Sequence, residues 1–478
     1  MLMKILRIGS QTISLVLLII LAAGCQILGP DYVPPEMASA DAWHQRVVSE
    51  LTTTDAPLHS WWTLFKDDDL ARLIDATRTG NLDLQTALAR IAEADALYGA
   101  SRGAQVPDAQ LEGSISRSRL SEIIYPGMQK NPQNIGVLSG GLSWELDFWG
   151  RVRRQIESAA ASYEASQEDY RDGLVILQAA VAQSYVQLRT LQQRLRYAQE
   201  NAQLQEATLK LTQDRLQAEI AHELDVRQAE MNLAMTNTMI PALQTGIDRA
   251  MNQLCVFTGR APGAWPELRT NFTAMPAFTA VLPATLPAEM IRQRCDIRAA
   301  ERRLAAQTAK IGVAKGELYP MFSLAGNFGW QVTAGGQMLE SPGRFYGLGP
   351  AFQWNIFSGG RIRSLIKAEE ARQQQTLMAY EGTVLRALQE CENMLSTFVN
   401  EQQQLQFEEQ AVTAARFSAQ KVDELYRAGL TDFQNVLDMQ RTLTQRQDSL
   451  ASCQGEVANA LIAIYKAFGG GWKGGEKD

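Results

Sequence analysis

Phe322-Ser323-Leu324-Ala325-Gly326-Asn327-Phe328-Gly329-Trp330-Gln331-Val332 alternates between two kinds of residue. Phe322, Leu324, Phe328, Trp330 and Val332 are large and apolar, whereas Ser323, Ala325, Asn327, Gly329 and Gln331 are small or polar. The run from Tyr346 to Ile356 repeats this, with Tyr346, Leu348, Pro350, Phe352, Trp354 and Ile356 set against Gly347, Gly349, Ala351, Gln353 and Asn355. Successive side chains of a strand point to opposite faces. About ten residues with one apolar face is the pattern of a transmembrane barrel strand. Leu138, Gly140, Leu142, Trp144 and Leu146 carry it more weakly, and Leu111 to Ser118 more weakly still. A half-buried soluble sheet also alternates, so the destination of the chain decides between the two.

The N-terminus supplies that destination. Lys4 and Arg7 precede an apolar run from Ile13 to Leu21, which ends in Leu21-Ala22-Ala23-Gly24-Cys25. The run is too short to span a bilayer and reads as an export signal. Gly24 directly before Cys25 marks a bacterial lipobox, with Cys25 as lipidated mature N-terminus. Ala22 stands where Leu is commonest, and Gln26 in place of Asp suits sorting to the outer membrane. Acyl chains contribute about 0.8 kcal/mol per buried CH₂, so several would hold the chain stably. With that address the alternating runs predict membrane strands. Two hairpins give four strands, fewer than the ~8 that close a barrel. Open edges in lipid leave backbone groups unpaired. The barrel must therefore be shared, with eight strands from two chains or twelve from three.

Composition removes other classes. The 478 residues carry 45 Lys+Arg against 52 Asp+Glu, a net charge of −7, and so lack the basic excess of a nucleic-acid binder. Past the signal no apolar stretch is long enough for a spanning helix. Three histidines and five scattered cysteines leave little for a metal site. Cys255, Cys295, Cys391 and Cys453 fall in expected helices, as small apolar residues rather than bridges. No Gly-rich loop ending in Lys-Ser/Thr, no His-Glu-x-x-His and no Gly-x-Ser-x-Gly occurs, so no enzyme is expected. Gly359-Gly360-Arg361 reads as a strand-to-helix turn.

Prolines are missing between Gln133 and Ile240 and after Pro350. Interior proline costs a helix about 3 kcal/mol, so these tracts permit very long helices. Leu377, Tyr380, Val384, Leu388, Cys391, Leu395 and Phe398 recur in steps of three or four, a coiled-coil stripe. A helix over 361–427 would be about 100 Å long. Gly429 is a natural stop, Thr431 a candidate cap for the next helix, which runs to about Phe468. A matching hairpin spans Arg151 to Phe257, with its tip near Ile220-Ala221-His222. The hairpins are copies: Gly150-Arg151-Val152-Arg153 recurs as Gly360-Arg361-Ile362-Arg363, a spacing of 361 − 151 = 210. Upstream, Asp83-Leu84 and Asp296-Ile297, and Pro107 and Pro320, keep 320 − 107 = 213. Each half reads helix, two strands, long helix, long helix. The organisation expected is a signal peptide over 1–24, a lipidated segment over 25–69, a first repeat over 70–266, a linker over 267–282, a second repeat over 283–472 and a tail over 473–478.

Together these residues resemble the TolC-like outer-membrane factors, in particular the lipidated OprM/NodT-type branch. The likeness covers nearly the whole mature chain. It rests on Gly29-Pro30-Asp31-Tyr32, Trp61-Trp62, Asn81-Leu82-Asp83-Leu84 and Trp144-Glu145-Leu146-Asp147 with Gly150-Arg151. It continues through Asp296-Ile297, Ile311-Gly312-Val313-Ala314, Phe357-Ser358-Gly359-Gly360-Arg361 and Leu437-Asp438-Met439-Gln440-Arg441. The resemblance implies a mainly α fold with a membrane β-barrel: a homotrimer with a twelve-stranded barrel continued by a coiled-coil periplasmic tunnel. It implies a passive efflux duct for small molecules such as drugs or metal ions, docked to a periplasmic adaptor and an inner-membrane transporter of RND type. No cofactor is implied beyond the lipid on Cys25. Asp438 and Arg441 match gate positions, and a second acidic gate position falls on Asn435. Glu219, Ile220 and Ala221, and Gly429, Leu430 and Thr431, match adaptor-contact turns. Glu219 replaces the usual glycine, which implies a turn of altered shape or altered adaptor choice. Cys295 stands where many relatives have proline. A type I protein-secretion duct shares this fold, and a non-conducting structural lipoprotein is the rival from another class.

Overall fold

The computed structural model describes residues 27–36, 43, 53–54, 58–119, 121, 123–124, 132–270, 282–283, 287–333 and 341–472. The signal peptide, Cys25, most of the 267–282 linker and the 473–478 tail lie outside the described residues.

The duplication is visible element by element. In the first repeat α1 (Asp68–Gly80) and α2 (Leu82–Gly103) lead into strands β1 (Asp108–Ser118) and β2 (Gln133–Leu146), then helices α3 (Arg151–Gln217) and α4 (Glu223–Phe257). The second has α5 (Pro287–Gln293), α6 (Cys295–Gly316), β3 (Met321–Thr333), β4 (Arg344–Gln353), α7 (Arg361–Arg427) and α8 (Phe433–Ala467). Helices α2 and α6 have 22 residues each, α3 and α7 67 each, α4 and α8 35 each. A short helix thus precedes the one expected before the strands. Asn81 breaks the first pair: its side-chain oxygen accepts from the amides of Asp83 and Leu84 at 2.9 and 3.0 Å, capping α2.

Contacts gather the chain into two compact units that cut across the repeats. One comprises Met1–Glu36, Arg90–Gln167 and Ala299–Glu381. It holds the antiparallel sheet, whose order is β1-β2-β3-β4. The two hairpins are joined by β2 pairing with β3, from Ile135↔Thr333 to Leu146↔Phe322. Strand β4 ends at Gln353, so Trp354 to Ile356 leave the ladder three residues before the alternation does. The N-terminal segment packs beside the helical ends of these strands. The Leu28 amide donates to Trp149 O at 3.1 Å, and buried Arg154 donates to Leu28 O and to Asp31. A Cβ on Gly29 would lie 2.5 Å from the Cα of Gly312, a contact no side chain tolerates. The Tyr32 hydroxyl donates to Glu301 at 3.1 Å. The Gly-Pro-Asp-Tyr and Ile-Gly-Val-Ala motifs are therefore two sides of one close packing.

The other unit comprises Met37–Ala89, Glu168–Arg298 and Gly382–Asp478. Trp61 stacks on Tyr465 at 5.8 Å and joins Phe65, Leu70, Leu73 and Ile74 in its core. The repeats match here in their contacts. The Asn81 side-chain Nδ2 donates to Phe257 O at 3.0 Å, closing the C-terminal end of α4. Arg294 donates to Ala467 O at 2.7 Å, closing the same end of α8. No described helix is long and apolar enough to cross a membrane.

Candidate functional site

The tips of the helical hairpins are built by a common device. At the end of α7 the Leu430 amide donates to Leu425 O and the Gly429 amide to Tyr426 O. This is a Schellman closure, with Gly429 in the left-handed region at φ +75°. At the end of α3 the Ile220 amide donates to Arg215 O and the Glu219 amide to Leu216 O. Glu219 takes φ +57° to do so. With glutamate in place of glycine the same two closing hydrogen bonds form, and the Ala221 amide adds a third to Arg215 O at 3.3 Å. The cap of α8 is Asp432 rather than Thr431; the Thr431 hydroxyl accepts instead from the Asn435 side chain at 2.9 Å. Ile220 and Leu430 are exposed. Behind the tips the Arg215 guanidinium lies 4.4 Å over the Tyr426 ring, and Tyr426, Phe433, Val436 and Leu437 pack with Ala229.

Two turns above, Arg441 donates to the Asn232 side chain at 3.2 Å, tying α8 to α4. Asp438 is exposed and accepts from Gln434 on its own helix at 3.1 Å. The structure thus places the two residues one turn apart on α8 with different partners. Beneath them lies a feature the sequence reading missed. Gln440 donates to the Thr208 hydroxyl at 2.7 Å, and Asn232 donates to Gln440 at 3.3 Å. Further along, Asn201 donates to Gln447 at 2.7 Å. Asn201, Gln205, Thr208 and Thr212 are all buried and step by four, three and four along α3. They occupy the seam positions of a coiled coil with polar side chains. The heptad spacing was readable in the sequence; a search for apolar stripes alone passes over it.

Antiparallel partners share a face, so the register sorts the sheet. One face carries Leu111 and Ile115 of β1, Leu138, Leu142, Trp144 and Leu146 of β2, Phe322, Leu324, Phe328 and Trp330 of β3, and Tyr346, Leu348 and Phe352 of β4. Ile115 and Leu348 are 89% and 74% exposed. The other face carries Gln110, Ser139, Ser143, Ser323, Asn327, Gly347 and Gly349. Below the sheet, Asp147 accepts from the amides of Val152 and Arg153 at 3.0 and 2.9 Å, capping α3. Glu145 holds Arg151 through two hydrogen bonds.

Burial raises the Cys295 thiol well above its usual range and pushes the Cys391 thiol up to about 12. Neither is a thiolate at neutral pH, so neither is primed for chemistry. All four described cysteines are free and buried. Asp172 is pushed up to about 6, first by burial and then by Asp296. Among the described residues no cluster of His, Cys, Asp or Glu could hold a metal ion.

An open sheet, apolar on one side, whose strands lead in sequence into long helical hairpins is the build of an outer-membrane channel subunit. A family model of outer membrane efflux proteins matches residues 73–260 and 286–470, and the chain belongs to that family. Its members are channels rather than enzymes. The pyoverdine export outer membrane protein OpmQ of Pseudomonas putida is 30% identical over 451 residues, 92% of this chain and 94% of its own. Nodulation protein T of Rhizobium leguminosarum bv. trifolii is 29% identical, covering 95% of this chain and 96% of its own. The solved outer-membrane channel OprN is 34% identical with a TM-score of 0.84, covering 93% of this chain and 99% of that one.

Proposed function

We propose that the protein is the passive exit duct of a tripartite efflux system, carrying small molecules across the outer membrane. Three copies contribute four strands each to a twelve-stranded barrel continued by a helical periplasmic tunnel. The observation that carries this reading is the four-stranded sheet, whose order leaves β1 and β4 as edges beneath one continuous apolar face. Such edges are tolerated in lipid only when they pair with another copy. OpmQ is a pyoverdine export protein, which supports a small-molecule cargo here.

In this reading Cys25 carries a covalent lipid that anchors the chain to the outer membrane, and no other cofactor is needed. An inner-membrane transporter of RND type supplies the energy, and a periplasmic adaptor joins it to the duct. The adaptor seats on Glu219, Ile220 and Ala221 and on Gly429, Leu430 and Thr431. Asp438 and Arg441 constrict the tunnel as its gate. The functional segments follow the sequence: signal peptide, lipidated segment, first repeat, linker, second repeat and tail.

Deleting the gene tests the reading. Susceptibility to drugs or toxic compounds should rise while the secreted proteome stays unchanged. Loss of a secreted protein with unaltered susceptibility would make the duct one for type I protein secretion.

A further inference from the structure

The register segregates charge as well as hydrophobicity. Among the described strand residues, the small and polar face carries three charged side chains, all acidic: Asp108, Glu112 and Glu145. The apolar face carries two, both arginine: Arg117 on β1, opposite Asn134, and Arg344 on β4, opposite Trp330. Both arginines are exposed. They also share an end. β1 follows α2, β2 leads into α3, β3 follows α6 and β4 leads into α7, so all four helical connections leave from one end of the sheet. The Leu28 amide bonds Trp149 O at that end, which places the N-terminal segment there. Arg117 lies toward the opposite end, at the close of β1, and Arg344 opens β4 from it.

We propose that Arg117 and Arg344 bind the phosphate groups of the anionic glycolipid in the outer leaflet. The proposal rests on the outer-membrane reading above, which makes the apolar face the lipid face and the loop end the outside. An arginine on a lipid face is costly at mid-bilayer and costs little near the interface, so the rim tolerates it. Position alone would suit any polar residue, but sign and type narrow the ligand. A planar guanidinium grips phosphate with two parallel hydrogen bonds, which lysine cannot reproduce. β1 and β4 are the edge strands, so each subunit seam brings the β4 of one copy beside the β1 of the next. A trimer then presents three such basic seams to the headgroups.

The test uses purified trimer in detergent and native mass spectrometry. Its probes are lipid A with both phosphates, lipid A with none, and inorganic phosphate alone. The bisphosphorylated lipid should bind at least about tenfold more tightly than the phosphate-free one, and millimolar inorganic phosphate should not displace it. The double variant Arg117→Gln/Arg344→Gln should remain trimeric and conducting yet lose that preference. The lysine pair should keep only part of it. Equal binding of the two lipids to the wild-type trimer would overturn the proposal with no variant needed. So would a double variant that keeps the preference, or displacement by free phosphate. Loss of the channel reading itself would appear separately, as wild-type trimer that does not conduct in planar bilayers.

Discussion

Glu219 holds a left-handed backbone conformation that costs a non-glycine residue about 1–2 kcal/mol. Its repeat counterpart Gly429 takes the same turn without that cost, and both turns make the same pair of closing hydrogen bonds. Glu219→Gly should therefore stabilise the first tip by about 1 kcal/mol. Slower hydrogen exchange at the Ile220 and Glu219 amides would register it, and unchanged exchange would refute it. Asp172 gives a second prediction at this scale. Burial, with Asp296 and Asp169 nearby, raises its carboxyl to about 6, while Arg294 and Lys466 pull the other way. The folded form therefore holds the proton more tightly than the unfolded chain does. Stability from this group is greatest below about pH 4 and declines as pH rises through 6. Asp172→Asn should flatten that slope and raise the melting temperature at pH 8, by no more than about 2 kcal/mol in free energy. A variant that melts lower at pH 8 would show the carboxylate to be favourable instead. The proton on Asp172 was not legible in the sequence, and the Glu219 turn only in part. A glutamate in a glycine position announces strain, but whether the turn bends or the residue does depends on its surroundings.

The long helices are where local chemistry and fold agree most closely. Proline-free tracts, a Gly-Arg start and a glycine stop place α7 at Arg361–Arg427, and the repeat carries the same span over to α3. The strands were legible in their interiors and less so at their ends. Trp354 and Ile356 continue the alternation of β4 but lie past Gln353, where the β3 ladder begins at Met321. A partner strand sets that limit, and a single run of sequence does not contain it. Nor does it contain the β2–β3 pairing that joins the two repeats into one sheet. The repeats also part company at their helix starts. Asp147 caps α3, whereas Phe357 occupies the matching position before α7 and cannot accept a hydrogen bond from its side chain. Asp147→Ala should cost about 1 kcal/mol and speed amide exchange at Val152 and Arg153 toward the rate at Ile362 and Arg363. Equal rates at the two helix starts in the unsubstituted protein would contradict the account.

At the scale of the assembled channel, the polar side chains buried along α3 bear on the gate role proposed for Asp438 and Arg441. A coiled coil sealed by leucine at every seam position resists sliding, because each knob fills a hole in its neighbour. Thr208, Gln440 and Asn232 replace that packing with hydrogen bonds, and Arg441 joins the same set from α8. Buried hydrogen bonds of this kind fix register while made, and leave costly unpaired groups when broken singly. The tie between α8 and α4 is then a discrete catch. Resemblance picked out Arg441 as a gate residue, but its partner was not readable, since Asn232 lies 209 residues away in the other repeat. If the catch holds the tunnel closed, Arg441→Ala and Asn232→Ala should each increase single-channel conductance in planar bilayers. Because they remove the same hydrogen bond, the double variant should conduct no more than the larger single effect. Asp438→Ala, which touches a different partner, should add to either. Unchanged conductance in Asp438→Ala/Arg441→Ala would remove both residues from the gate. Additive effects of Arg441→Ala and Asn232→Ala would leave Arg441 in the gate and exclude Asn232 as the residue through which it acts.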